Sequence, residues 1–243
     1  MSRRRPDGAT REWQAIARGP DVLFHVCSRP DKRGTWTEDE FYAAGCSDWE
    51  DFRSQWRHYW PDLGGTCVEI GCGAGRLTAA LAADFRRVVA LDVSQDMIDR
   101  ARAHSPSSVE FRHVDGPVIP LAGAEADGVF SVHVFQHLES RAVVAAYLAE
   151  AKRVLRPGGT VMIHIPLASA PPRRRSRLKL AANLWLSRRR LRRGEEHTAV
   201  RMRLYRAEDV FWLLSNAGFT DVQLRVFAVR SDGFHHSCWF ARA

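Results

Sequence analysis

No run of roughly 18 apolar residues, the length a membrane-crossing helix needs, occurs anywhere in this 243-residue chain. Met1-Ser2-Arg3-Arg4-Arg5-Pro6 is basic, but no apolar stretch follows it, so a secretory leader is not expected. Cysteine is scarce. The five residues (Cys27, Cys46, Cys67, Cys72, Cys238) are odd in number and form no CxxC pair. That argues against a disulfide framework or a zinc site, and for reduced thiols in a cytoplasm. The histidines lack ligand spacing with carboxylates or cysteines and no HExxH occurs, so no metal is expected. No internal repeat is visible.

Acid is missing from one place in particular. Residues 171–193 hold ten Arg and Lys and no Asp or Glu, within a net charge of +8. Setting those ten aside leaves 26 basic against 28 acidic residues, a body close to neutral. The high isoelectric point therefore belongs to one segment and is not a general nucleic-acid coat.

What is present is an apolar run, 66–70, that reads as a buried strand and ends in Glu69-x-Gly71-x-Gly73-x-Gly75. A helical pattern begins near Arg76. Glycines in such a turn let the backbone bend sharply and let a ligand approach where a Cβ would clash. A dinucleotide-binding loop wants its third glycine three residues after the second. Arg76 stands there, so that reading fails.

Strand and helix patterns then alternate. Strands are expected at 67–70, 87–91, 109–112, 127–132 and 160–165, with helices at 77–83, 95–103 and 141–155. A helix at 207–216 and two strands, 222–229 and 236–241, close the chain. Near-continuous apolar strands between helices imply a parallel sheet covered on both faces. Upstream, Ser47 with Glu50 three residues later reads as a capping box opening a helix that carries Trp49, Phe52, Trp56, Tyr59 and Trp60.

The glycine loop with Glu69 resembles motif I of the class I S-adenosylmethionine-dependent methyltransferases. Further stretches agree: Asp92 in Val-Val-Ala-Leu-Asp-Val-Ser, Asp115-Gly116 after the third strand, 126–138 at the fourth, Leu155-Arg156-Pro157-Gly158-Gly159, and 206–219 at the closing helix. The resemblance covers about residues 60–243. It implies a doubly wound α/β fold: a mostly parallel, seven-stranded Rossmann-like sheet, helices on both faces, and an antiparallel C-terminal strand. It also implies an N-terminal helical and aromatic cap over 1–62, a methyltransferase domain over 63–243, and an inserted basic cover over 170–205.

The resemblance further implies S-adenosylmethionine as cofactor and S-adenosylhomocysteine as product. Glu69, Gly71, Gly73 and Gly75 would hold the cofactor's amino-acid portion. Asp92 and Val93 would hold its ribose, and Met97, Asp115 and Gly116 its adenine. Ser131 would lie near the transferable methyl. Blander readings compete: Asp92 as a helix N-terminal acid, Met97 as core filler, Asp115-Gly116 as an ordinary turn.

Displacement at a sulfonium leaves a neutral thioether, so alignment is the main requirement, and a base is needed only for an acceptor that carries a proton. His133 is the leading candidate base, ahead of His137 and His164. Trp36, Phe41 and Tyr42, in a stretch flanked by glycines, are candidates to close over a flat acceptor. The expected activity is methyl transfer to an O or N atom of a small molecule, in bacterial secondary metabolism. Segment 171–193 reads first as a cover with a solvated face, next as a contact for a membrane or other anionic partner, last as an RNA arm. An RNA methyltransferase and a non-catalytic cofactor-binding protein are the rival readings. No Asn-Pro-Pro-Tyr sequence stands at the fourth strand, which lowers nucleic-acid and glutamine-amide acceptors. No motif fixes the oligomeric state.

Overall fold

The computed structural model describes residues 8–168, 202–228 and 235–243. The basic segment 171–193, and most of the expected 170–205 insertion, lie outside the described residues.

Strands β1 (Thr66–Ile70), β2 (Arg87–Asp92), β3 (Val109–His113), β4 (Ala126–Ser131), β5 (Leu155–Leu167), β6 (Thr220–Ala228) and β7 (His235–Arg242) form one sheet in the order β3-β2-β1-β4-β5-β7-β6. The pairs among the first five are parallel, and β7 runs antiparallel to both β5 and β6. The chain leaves β1 toward β2 and β3, then crosses to β4 on the other side. The switch in order therefore lies between β1 and β4, where open α/β sheets gather ligands at the carboxyl ends of their strands.

Alternation along the strands feeds two cores. Val68, Ile70, Val89, Leu91, Val129 and Val161 face one side, under α6 (Arg141–Val154) and α7 (Ala207–Asn216). Cys67, Val88, Ala90, Phe130, Met162 and Phe240 face the other, under α3 (Glu38–Tyr59) and α4 (Thr78–Asp84). Trp56 of α3 is completely buried on that second side. Its indole Nε1–H donates to Thr160 Oγ1 at 3.0 Å and its ring stacks on Phe130. A full indole in the core stays there because its one polar hydrogen has a partner.

Helix α3 starts nine residues before the expected Ser47. Thr37 is the cap: its hydroxyl accepts from the Glu40 amide, and Glu40 Oε2 accepts from the Thr37 amide, both at 3.3 Å. Thr37-x-x-Glu40 is a capping box as well, and Glu38, Asp39 and Glu40 in its first turn complement the helix dipole. Gly45 inside the helix is a close-approach residue: a Cβ there would sit 1.9 Å from the Arg76 carbonyl oxygen. Helix α5 (Gln95–Ala103) is capped by Ser94, whose hydroxyl accepts from the Met97 amide. Helix α1 (Gly8–Ala17) and the short α2 (Val22–Val26) pack together, and α1 also packs on α5. The final hairpin runs a residue or two longer than expected at most of its strand ends.

Candidate active site

A cavity of about 490 Å³ opens at the switch point, over the carboxyl ends of β1, β2, β3 and β4. The glycine loop makes its floor. After β1 the chain doubles back, and the amides of Gly71 and Cys72 both donate to the Leu91 carbonyl of β2 (2.8 and 2.9 Å). Gly71 and Gly75 hold positive φ angles of 74° and 81°. Added Cβ atoms would meet Val134 Cγ2 at 2.3 Å and Ala101 Cβ at 2.8 Å, so packing forbids a side chain at both. Gly73 differs. A Cβ there would meet only Val26, at 3.6 Å, and both Gly73 and Val26 line the cavity.

Asp92, at the tip of β2, is buried and lines the cavity. Its Oδ2 accepts from the Gly73 amide (2.8 Å) and its Oδ1 from the Ser94 amide (2.9 Å). Burial raises its pKa, and the amides of Ser94 and Gly73 oppose that shift. Glu69 is 3% exposed, also lines the cavity, and accepts from the Thr78 hydroxyl at 2.7 Å. Burial pushes its pKa up to about 7, against the Thr78 hydrogen bond. Val93, Met97, Asp115 and Gly116 complete this acidic half of the wall. Asp115 keeps its carboxylate largely in solvent, at the mouth, whereas Met97 is buried between the cavity and Ile16, Phe41 and Ala74.

The opposite end carries the imidazoles. His133 follows β4 in the left-handed region, φ 62°, a conformation that costs a non-glycine residue ~1 kcal/mol or more. It lines the cavity, and burial, then Arg76, His236 and His137, lower its pKa to about 3. His137 also lines the cavity, edge-on to Trp13 of α1 (5.1 Å between centroids).

Several expected residues fall elsewhere. Ser131 is fully buried and spends its hydroxyl on the Ile70 carbonyl (2.9 Å), tying β4 to β1 and not facing the cavity. His164 lies behind the wall, within β5. Trp36, Phe41 and Tyr42 do not line the cavity. Because α3 begins at Glu38, Phe41 points inward and is completely buried. Tyr42 donates its hydroxyl to the Ala74 carbonyl (2.9 Å) and stacks on His104, and the Trp36 indole donates to the Cys27 carbonyl. These aromatics buttress the glycine loop from outside.

In their place α1 covers the cavity, with Ala9, Thr10 and Trp13 on its wall. The Gly8 amide donates to Glu139 Oε1 (2.7 Å) and Gln14 Nε2 to the Val93 carbonyl (3.2 Å), which fasten the helix across the opening. The helical spacing of Ala9, Trp13 and Ile16 was a signal of a docked helix, but nothing in it pointed to this cavity. Arg76 was missed too. It lines the cavity, is 5% exposed, and pairs with Asp48 of α3.

Residues 68–163 match the methyltransferase domain family. Malonyl-[acyl-carrier protein] O-methyltransferase of Hahella chejuensis is 41% identical over 98 residues, 39% of this chain and 34% of that protein. Ubiquinone biosynthesis O-methyltransferase of Dinoroseobacter shibae is 31% identical over 105 residues, 42% of this chain and 41% of that one. The chain thus spans less than half the length of these curated relatives. Magnesium protoporphyrin IX methyltransferase of Synechocystis, solved with bound S-adenosylhomocysteine, superposes with a TM-score of 0.58 at 18% identity, covering 84% of this chain and 85% of that one. At that identity the likeness is one of fold.

Proposed function

We propose that this chain, whose residues 68–163 match the methyltransferase domain family, is a class I S-adenosylmethionine-dependent methyltransferase, and that it methylates an O or N atom of a small molecule in the cytoplasm of a bacterium, as part of secondary biosynthesis. The observation that carries the reading is the hydrogen bond of the Gly73 amide to Asp92 in the wall of a cavity that Glu69, Asp115, His133 and His137 also line. The O-methyltransferases among the relatives support an oxygen acceptor.

The residues present fit the cofactor. Asp92 offers a fixed carboxylate for the ribose hydroxyls, and Gly73 leaves backbone room beside it where a Cβ would intrude. Glu69 and the glycine loop would lie against the amino-acid portion, with Met97, Asp115 and Gly116 toward the adenine, all of them lining the cavity. When bound, S-adenosylmethionine supplies a methyl group on a positively charged sulfur. The protein's task is then alignment: α1 and the β4 tip close the two sides of the cavity and hold an acceptor in line.

His133 is neutral at neutral pH, so its ring can accept the acceptor's hydrogen. Its low pKa sets the balance. Moving from 6.5 to about 3 makes the imidazolium roughly 5 kcal/mol harder to form than in water, an order-of-magnitude figure. His133 therefore hydrogen-bonds the acceptor in the ground state and takes the proton only as the sulfonium charge is discharged.

Calorimetric titration with S-adenosylmethionine and S-adenosylhomocysteine tests the reading. Wild-type protein should bind both at micromolar Kd, and Asp92→Ala should weaken binding by about a hundredfold, the loss of two charge-assisted hydrogen bonds. Folded wild-type protein that binds neither ligand would sink the proposal. Binding without turnover across small phenols, alcohols, carboxylic acids and amines would favour a non-catalytic role, and turnover only with RNA would favour the basic segment as a nucleic-acid arm.

A further inference from the structure

Behind His133 lie two more buried imidazoles that the reading above does not use. His164 of β5 is 1% exposed and His236 of β7 is 4% exposed. They sit diagonally across the β5–β7 pair, where His164 faces Cys238 and His236 faces Pro166. Their rings stack at 4.9 Å and 20°, and His164 Nε2 lies 2.8 Å from His236 Nδ1, hydrogen-bond contact. Phe227 of β6 stacks on His236 at 5.9 Å and lies 6.1 Å from the His164 ring. The His164 ring meets that of His133 edge-on, 4.4 Å between centroids. The Nδ1 of His164 is buried and has no hydrogen-bond partner among the described residues.

A bare buried nitrogen is costly unless something fills it part of the time. A histidine's tautomer is set by the hydrogen bond that its other nitrogen makes. We infer that His164 and His236 are positioning residues for His133: His236 Nδ1 accepts from Nε2–H of His164, which leaves His164 Nδ1 as a lone pair toward the His133 ring, open to the N–H that His133 keeps on the nitrogen turned away from the acceptor and offers as a stronger donor once it is an imidazolium. This rests on the methyl-transfer reading. In the step itself, the acceptor's lone pair forms the new bond to carbon and the carbon–sulfur bond breaks. Sulfur leaves with the electron pair as a neutral thioether, and the acceptor's O–H or N–H proton passes to His133. No other group is oxidised or reduced. The remaining groups that face His133 are Arg76 from the glycine loop, His137 from the turn after β4, and His236 itself. None of these three is an anion, so in this setting a neutral lone pair is the stabilising partner on offer.

The test is a long-range proton–nitrogen spectrum of histidine-labelled full chain at neutral pH, with S-adenosylhomocysteine added. Wild-type His164 should carry its proton on Nε2 alone. In His236→Phe, which keeps the stack and removes the acceptor, that single tautomer should be lost. His236→Gln, whose amide oxygen can accept, should restore it. A side-chain amide placed at the base, His133→Gln, supplies a permanent N–H there, and the His164 Nδ1 resonance should move from its bare position as it accepts. S-adenosylhomocysteine affinity should stay within about threefold in both His236 variants. A proton on His164 Nδ1 in the wild type, an unchanged tautomer in His236→Phe, or an unmoved Nδ1 in His133→Gln overturns the inference. If His236→Phe does not fold, the wild-type tautomer and the glutamine variants decide it. Failure of the methyl-transfer reading is seen separately, as wild-type protein that binds no S-adenosylhomocysteine while the tautomer is as expected.

Discussion

A methyl group added at Gly73 and one added at Gly71 meet different surroundings, and this separates binding from folding. Gly71→Ala would drive its Cβ into Val134 and so should destabilise the fold by about 2 kcal/mol or more. Gly73→Ala has space for the Cβ and carries only the strain of φ 52°, a loss of ~1 kcal/mol. Yet it fills the cavity wall beside Asp92. Thermal melts paired with cofactor titrations should find Gly73→Ala folded but binding at least tenfold more weakly, and Gly71→Ala already impaired without ligand. Glu69 makes a second prediction. Its folded pKa of about 7 lies above the ordinary carboxyl value of 4.5, so between the two the folded state holds a proton that the unfolded chain has released. Ligand-free stability should therefore fall as pH rises between those values, by about 3 kcal/mol at most, and level off above them. In Glu69→Gln that fall should vanish. Wild-type stability that stays flat over the same window would show that the buried carboxyl is ionised throughout. The burial of Glu69 could not be read from its letter, because acid residues at strand ends are ordinarily exposed. Its place in the glycine motif was legible, and its proton was not.

Helices α1 and α3 divide the N-terminal aromatics between them in a way that helical period alone does not fix. Trp49 and Trp56 recur on one face of α3 and are core, as their spacing implies. Trp13, isolated in the sequence, forms cavity wall, while Phe41 and Tyr42 do not. The reason is the helix start. With Thr37 as cap, Phe41 falls on the buried face and Tyr42 reaches Ala74, whereas a start at Ser47 would have left both in a loop. Trp13→Ala should lower cofactor affinity by roughly three- to tenfold, the worth of one aromatic contact, and leave the melting temperature nearly unchanged. Trp56→Ala should do the reverse. Emptying a fully buried indole site and orphaning Thr160 should cost about 3–5 kcal/mol while any folded fraction binds normally. Denaturant titration of the two variants distinguishes the roles, and equal destabilisation by both would contradict the assignment of α1 as a cover. Strands β1, β2, β4 and β5 were legible because buried parallel strands are largely apolar on both faces, and edge strand β3 is only half-buried. β7, at residues 235–242, hides one histidine, His236, and Ser237 in a buried environment, where polar letters conceal burial.

Across the whole molecule, charge and fold are separable. Ten of the 36 basic residues lie in 171–193, and the body that carries the cavity is near neutral. Replacing Arg173, Arg174 and Arg175 with Gln should leave S-adenosylmethionine affinity within about twofold, because the cofactor reading rests on Asp92 and the glycine loop and uses none of the three. Flotation with anionic vesicles should weaken over the same variant if the segment meets a membrane; unchanged flotation removes that role. The sequence by itself determined the doubly wound sheet, its antiparallel last strand, and the glycine loop with Asp92 two turns of the fold later. Those follow from apolar periodicity and from backbone demands that only glycine meets, and both are local. Only the tertiary structure decided which side chains share the cavity. Ser131 turned to Ile70, Trp13 came in from a distant helix, and His164 and His236 met across two strands. Such meetings depend on where helices dock and how strands register, and these are set by contacts between residues far apart in the chain.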